Sequence, residues 1–129
     1  MTYDLFLLAL VMWREARGEG PDGMRAVGHV ILNRAHDWGQ TLYQAIIGRN
    51  QFSSITVLGD SQTVLWPLPN DPVFALAAEV YNGTSPDPTG GACYYANESV
   101  ITSEWYRQHI IEDAAHPVTV VLGKHTFRK

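Results

Sequence analysis

The sequence has little cysteine, no long hydrophobic run and no excess of positive charge. Cys93 is the only cysteine in 129 residues, so an internal disulfide bond and a thiolate metal cluster are excluded. No stretch reaches the roughly 20 apolar residues that span a bilayer. The formal net charge of −4 disfavours a nucleic-acid partner. What remains is a globular chain that we expect to form one domain, residues 1–129.

The histidines show no metal-ligand pattern. The five of them lack a paired spacing such as His-Glu-x-x-His, so we expect neither a metal site nor a cofactor. Cys93 lies in a stretch, residues 92–95, that is typical of a strand. No particular histidine stands out as its base, and a buried, reduced thiol is therefore the expectation.

The longest apolar run, Leu5 to Trp13, differs from a secretory signal peptide. Asp4 precedes it, no Lys or Arg does, and no small-residue cleavage site follows. Leu8 and Met12 belong to a set of apolar residues repeating at helical spacing, which predicts a buried helix over residues 2–17. We accordingly expect a protein made in the cytoplasm without a signal peptide and without membrane insertion.

Helical patterns come first along the chain and strand patterns come last. This order predicts an α+β fold, with a helical N-terminal part and a small antiparallel sheet in the C-terminal part. The last two strands are expected to pair across Gly123. The other predicted helices cover residues 21–35, 41–47, 72–82 and 103–110, and the last two strands cover residues 118–122 and 124–127.

Two glutamates, Glu15 and Glu19, flank Gly18 where the first predicted helix ends. A carboxyl group at the end of a buried helix, near aromatic residues, is a candidate general acid. If the helix continued, Glu19 would share a face with Glu15, but Gly18 favours a break and a capping or ion-pairing role for Glu19. Arg14 and Arg17 project away from Glu15 on a helix, and we expect both to face solvent.

Five sequence blocks stand out in a fixed order along the chain. They are Glu15–Glu19, Ala26–Val27 with Val30–Arg34, Gln51–Ser53, Asp87–Ala92 with Tyr94, Tyr95 and Asn97, and Gly123–Phe127. Through these blocks the chain resembles the SleB-like cell-wall hydrolases, the spore-cortex-lytic enzymes, with phage endolysins as one branch. It departs from the family pattern at Trp13 and Arg14, where the family usually has Tyr-Gly. The proline that the family often has after the second glutamate is displaced here to Pro21.

This resemblance implies a lysozyme-like fold and cleavage of the peptidoglycan bond between N-acetylmuramic acid and N-acetylglucosamine. It implies a lytic transglycosylase, whose single catalytic glutamate matches Glu15. A water-using muramidase is the close alternative and would need a second carboxylate, either Glu19 or an unidentified Asp. A non-catalytic glycan-binding module of a phage particle is the alternative from another class.

The predicted substrate-binding residues come from the same blocks, and most have a structural alternative. Gln51 and Ser53 are candidates to bind acetamido or hydroxyl groups, or else they only tie down a loop. Tyr94 and Tyr95 should face opposite ways on a strand, and Trp105 is either a sugar-stacking wall or core. Asn33, His125 and the Asp87 turn are structural by default. The full set is Glu19, Gln51, Phe52, Ser53, Tyr94, Tyr95, Asn97 and Trp105.

The expected partner follows from the same resemblance. Peptidoglycan glycan strands are the substrate, and neither nucleic acid nor a membrane is a partner. We expect a monomer that reaches the cell wall after release by a holin-type helper.

Overall fold

The structure is a computed structural model that describes residues 1–48 and 51–129. Helices dominate up to Tyr81 and a three-stranded antiparallel sheet follows, which confirms the α+β prediction. No helix in the described part of the chain is both long and apolar enough to cross a membrane. The helices are α1 (Tyr3–Ala16), α2 (Gly20–Asp37), α3 (Leu42–Ile47), α4 (Ser53–Thr56), α5 (Val73–Tyr81) and α6 (Glu104–Tyr106), which runs on as a π-helical segment, Arg107–Ile111; the strands are β1 (Tyr94–Ala96), β2 (Val118–Leu122) and β3 (His125–Arg128).

Helix α1 is the centre of the larger hydrophobic core. Its first turn is capped by Thr2, whose side chain accepts a hydrogen bond of 3.2 Å from the Leu5 N–H. Every residue from Leu7 to Met12 is buried, because α2, α3 and α5 pack around it. The helix gives way to a 3-10 turn, Arg17–Glu19, and Gly20 then takes a positive φ of 77° before α2. The prediction of a helix buried on most sides is confirmed.

Gly28 of α2 lies against Met12 of α1 and Val80 of α5. A Cβ atom added there would lie 2.9 Å from Met12 Sδ and 3.2 Å from Val80 Cγ1. Both distances are shorter than ordinary van der Waals contact, so the glycine lets the three helices meet without a side chain between them.

We predict that Gly28→Val lowers the free energy of unfolding by about 2 kcal/mol, because overpacking a dense core typically costs 1–3 kcal/mol. Urea denaturation followed by circular dichroism measures this. Gly18→Ala is the matched control, since nothing lies within 4 Å of a Cβ at that exposed position. Equal midpoints for the two variants would contradict the packing argument.

Arg14 corrects one sequence-based prediction. It was expected to face solvent, yet only 7% of it is exposed. Its guanidinium donates hydrogen bonds to the carbonyls of Ser54 (2.8 Å), Thr63 (3.1 Å) and Leu65 (3.0 Å). The reason is that the segment from α4 to residue 66 folds back over α1 and brings three free carbonyls to one side chain. That segment also contains α4, where a loop was predicted.

The sheet has the strand order β1-β3-β2, so the last strand lies in the centre. Strands β2 and β3 pair across Gly123, whose φ is 59°, as predicted. Tyr95 on β1 is opposite Phe127 on β3. Phe127 is buried with Ala26 and Val30 of α2, and this second small core fixes the sheet against α2.

The turn before β1 is held by Asp87. One carboxylate oxygen accepts hydrogen bonds from the Thr89 N–H and hydroxyl, and the other accepts from the Gly91 N–H and the Asn33 amide. Burial raises the pKa of Asp87, but these hydrogen bonds outweigh it and hold the pKa below its usual value. Asn33 also donates to the Ala92 carbonyl at 2.9 Å. Both residues therefore have the structural role expected of them.

Cys93 is a buried free thiol, as predicted, but it lies directly before β1 and not within the strand expected over residues 92–95. Burial, and then the hydrogen bond from its Sγ to Asp37 Oδ2 at 3.4 Å, raise the pKa of the thiol to about 11. The folded protein therefore keeps a proton that the unfolded chain releases near pH 8.5. This thiol's contribution to stability is complete below pH 8.5 and is lost as the pH rises towards 11.

We predict that iodoacetamide alkylates Cys93 at least about 100-fold more slowly in the native protein than in urea at pH 8.5, because the thiolate is the nucleophile. Mass spectrometry of timed samples measures both rates. Native alkylation within tenfold of the denatured rate would contradict the raised pKa.

Candidate active site

A cleft of about 370 Å³ opens where the carboxyl ends of α1 and α2 meet β1 and α6. Its walls combine one carboxyl group, one guanidinium, one amide and several aromatic rings. The lining residues are Glu15, Arg34, Trp38, Gln51, Phe52, Tyr94, Tyr95, Ala96, Ile101, Trp105 and Tyr106. Residues 80 positions apart in the sequence, Glu15 and Tyr95, are thus brought into one site.

Glu15 lies in the last turn of α1 and is half-buried. The Tyr95 hydroxyl donates a hydrogen bond to Glu15 Oε1 at 3.3 Å. Phe127 stacks on the Tyr95 ring (5.7 Å between centroids), and His125 meets it edge-on (5.3 Å). Burial, followed by the charge of Glu15, raises the pKa of Tyr95 far above its usual value. The phenol therefore remains a protonated donor that points at the carboxyl group.

Arg34 and Gln51 form a polar pair in the same cleft. The Arg34 guanidinium donates from Nε to the Cys93 carbonyl at 2.6 Å and from Nη1 to Gln51 Oε1 at 2.8 Å. Phe52 and Trp38 lie under and beside it, with ring centroids 5.4 and 5.5 Å from Arg34 Cζ. Burial lowers the pKa of Arg34, and a guanidinium nevertheless keeps its charge in proteins.

Aromatic rings form the open side of the cleft. Trp105 is 60% exposed and rests on His109, with ring centroids 4.9 Å apart, so the core alternative for this tryptophan is excluded. Trp38 packs against Tyr94 at 5.8 Å. Tyr94 and Tyr95 both line the cleft and both are half-buried. Tyr95 also packs against the two hydrophobic cores, which agrees with the expectation that one of the pair contacts the core. Such rings offer flat faces to a sugar.

Three of the predicted substrate-binding residues lie outside this lining. Glu19 is exposed and sits against Gly123, in a separate hollow of about 250 Å³. Its backbone belongs to the 3-10 turn after α1, so the helix does not carry it back to the face of Glu15. Ser53 Oγ donates to Asp60 at 2.8 Å, and Asn97 Oδ1 accepts from Ser99 at 2.7 Å.

Sequence reasoning missed Arg34, Trp38, Ile101 and Tyr106 as lining residues. Arg34 entered the sequence analysis only as the end of the Val30–Arg34 block, and it lies in the last turn of α2. Its partners Gln51 and Cys93 are 17 and 59 residues away in sequence. Such pairings leave no local signal, so a single sequence could not have revealed them.

Elsewhere, a hollow of about 470 Å³ lies beside α2. Its charged groups are already paired, since Arg25 bonds both Asp22 and Glu79. Within residues 1–48 and 51–129, no three His, Cys, Asp or Glu side chains converge closely enough to hold a metal ion. The cleft around Glu15 is therefore the candidate active site.

Solved catalytic domains have a fold similar to that of this chain. The chain is similar to the catalytic domain of the germination-specific lytic transglycosylase SleB from Bacillus anthracis, with a TM-score of 0.78 and 31% identity over 100% of this chain and 96% of that one. The catalytic domain of Bacillus cereus SleB gives a TM-score of 0.75 and 33% identity, covering 98% and 89% of the two chains. These neighbours support the lysozyme-like fold that was expected.

Full-length relatives extend beyond the matched region. The spore cortex-lytic enzyme of Oceanobacillus iheyensis is 34% identical over 128 residues, which cover 98% of this chain but 41% of that protein. The sequence model described as Cell Wall Hydrolase matches residues 18–128, beginning three positions after Glu15. The chain belongs to this cell wall hydrolase family.

Proposed function

We propose that the chain is a peptidoglycan lytic transglycosylase in which Glu15 is the general acid and base. The observation that carries this proposal is the number of carboxylates that line the cleft. Among the described residues that line it, Glu15 is the only carboxylate. A glycosidase that uses water needs two carboxylates about 5–9.5 Å apart.

A lytic transglycosylase needs one carboxyl group because the substrate supplies the nucleophile. Glu15 gives its proton to the oxygen of the leaving sugar as the glycosidic bond breaks. The C6 hydroxyl of the muramyl residue then attacks its own C1. Its proton passes to the Glu15 carboxylate, which restores the acid and leaves a 1,6-anhydro sugar.

Tyr95 supports both halves of this cycle. When Glu15 has released its proton, the phenol hydrogen bond at 3.3 Å stabilises the carboxylate. Stacking on Phe127 limits the rotation of the Tyr95 ring and keeps the hydroxyl directed at Glu15. Tyr94, Trp38 and Trp105 supply flat apolar faces on which pyranose rings can lie.

Product analysis tests the proposal directly. The protein is incubated with purified peptidoglycan, and the released muropeptides are analysed by mass spectrometry. We expect products that end in 1,6-anhydromuramic acid, which is lighter by one water than a hydrolysed end. Products with reducing ends alone would contradict the proposal and favour a muramidase. The absence of any released glycan would favour a binding module.

We further propose that the chain acts as a monomeric single domain and reaches the wall by holin-type release. The apolar run Leu5 to Trp13 is packed in the core and belongs to the helix that carries Glu15, so it is not a removable leader. Co-expression in bacteria with and without a holin tests this route. Lysis that requires the holin supports it, and equal lysis without the holin contradicts it.

A further inference from the structure

The orientation of the Gln51 side chain is fixed by its neighbour. Amide oxygen and nitrogen are close in size, so an isolated glutamine can present either group. Arg34 removes this freedom, because a guanidinium has donors and no acceptor. With Arg34 Nη1 at 2.8 Å, the oxygen of Gln51 must face the arginine, and Nε2 must face the other way.

Arg34 cannot easily turn aside and release this amide. Only 7% of the arginine is exposed, and its Nε is tied to the Cys93 carbonyl at 2.6 Å. It forms no ion pair with a carboxylate anywhere in residues 1–48 or 51–129. A buried cation without a counter-ion depends on its hydrogen-bond acceptors, so a reversed amide would be strongly disfavoured.

The backbone of Gln51 is also held, since its N–H donates to the Gly48 carbonyl at 3.1 Å. The residue lines the same cleft as Glu15. Within the described ranges, no protein acceptor receives a hydrogen bond from Gln51 Nε2. The cleft therefore contains an amide N–H₂ group of fixed orientation that can only donate hydrogen bonds. A ligand group that can only accept hydrogen bonds is complementary to it.

We infer that Gln51 is a specificity-determining residue that donates a hydrogen bond from Nε2 to the carbonyl oxygen of a sugar 2-acetamido group, and that Arg34 is the positioning residue that keeps this donor in place. The inference rests on the proposed function. The amide carbonyl is the best neutral acceptor on the glycan, whereas hydroxyl groups both donate and accept and would not require a fixed donor.

The test replaces the proposed hydrogen-bond donor on the enzyme by an acceptor. Separately, it replaces the proposed acceptor on the substrate by a donor. Gln51→Glu keeps the shape, pairs with Arg34, and turns an acceptor to the cleft. Wild type and variant are assayed on native and on chemically N-deacetylated peptidoglycan, in which the acetamide has become an ammonium group. The readout is the initial rate of anhydro-sugar release below saturation, and thermal unfolding confirms that both proteins are folded.

We expect Gln51→Glu to lower the rate on native peptidoglycan by about 10–100-fold, the usual effect of losing a specific hydrogen bond and leaving a mismatched group. On the deacetylated substrate the rate of the variant should be much closer to that of wild type. The ratio of the rates on native and deacetylated peptidoglycan should therefore differ between the two proteins by at least about tenfold. Gln40→Glu, the same change at an exposed position outside the cleft lining, should leave the preference unchanged.

An identical substrate preference in wild type and Gln51→Glu would overturn the inference. That result is distinct from failure of the proposed function, in which wild type releases no anhydro sugar from native peptidoglycan. Arg34 is tested by the same measurement. Arg34→Gln should reduce the wild-type preference for native over deacetylated peptidoglycan. Arg34→Lys, which still donates towards Gln51, should retain most of that preference. Unchanged preference in Arg34→Gln would remove Arg34 from the scheme.

Discussion

Replacing Glu15 by glutamine is expected to lower peptidoglycan cleavage by at least about 10³-fold. Glutamine has nearly the same shape but no proton to deliver, and a positioned general acid contributes about 10²–10⁴-fold in rate. The loss should reach the upper part of that range because one carboxyl group serves as both acid and base. Release of anhydro-muropeptides, followed by mass spectrometry, measures the effect, and an unchanged circular dichroism spectrum shows that the fold is intact.

Glu19→Gln is the matched control for Glu15→Gln. The two glutamates are four residues apart, and the substitution is the same, but Glu19 is exposed beside Gly123 rather than in the cleft. We expect its activity to stay within about threefold of wild type, since exposed charges have small effects. Comparable losses in both variants would show that Glu19 takes part in the chemistry and would favour the muramidase mechanism.

Arg14→Met is expected to lower the free energy of unfolding by about 3 kcal/mol. Methionine retains much of the apolar contact but leaves the carbonyls of Ser54, Thr63 and Leu65 without their donor. Hydrogen bonds from a charged donor are worth about 1.5–3 kcal/mol each, and partial access of water to the freed carbonyls offsets part of the loss. Urea denaturation gives the free energy, and limited proteolysis reports whether the segment from residue 57 to 68 opens.

Arg17→Met provides the comparison for this loss. Arg17 also bonds carbonyls, those of Trp13 and Arg14, but at 3.3 Å each and from a half-buried position. Its removal should cost less than about 1 kcal/mol. If Arg14→Met proves no more harmful than Arg17→Met, the covering segment is held mainly by apolar contacts such as the packing of Trp66 on Phe6.

Local features of the fold could be predicted from the sequence because local physics dominates them. Thr2 is a good cap, the Leu5–Trp13 run repeats at helical spacing, and Gly123 directly after a β-branched stretch favours a hairpin. Each signal lies within a few residues of the element that it specifies. The same applies to Glu15, whose place at the end of a buried helix singled it out.

Long-range pairings could not be predicted in this way. Helical periodicity marks Arg14 as polar, and a polar residue is assigned to solvent unless something is known to cover it. The groups that cover Arg14 are backbone carbonyls that lie 40 to 51 residues further along the chain. Arg34 was not predicted as a site residue for the same reason, because its hydrogen-bond partners are distant in the sequence. Glu19 was uncertain because a single glycine only weakens a helix, and the break was decided by the backbone from Arg17 to Gly20.

The strand order β1-β3-β2 has a consequence for the timing of assembly. During translation, Tyr95 emerges long before its neighbours Phe127 and His125, and β1 has no pairing partner until β3 has been synthesised. A nascent chain that ends before the central strand therefore has Glu15 in α1 but lacks the support that directs the Tyr95 phenol towards it. The candidate site is complete only once β3 has been synthesised and has paired with β1.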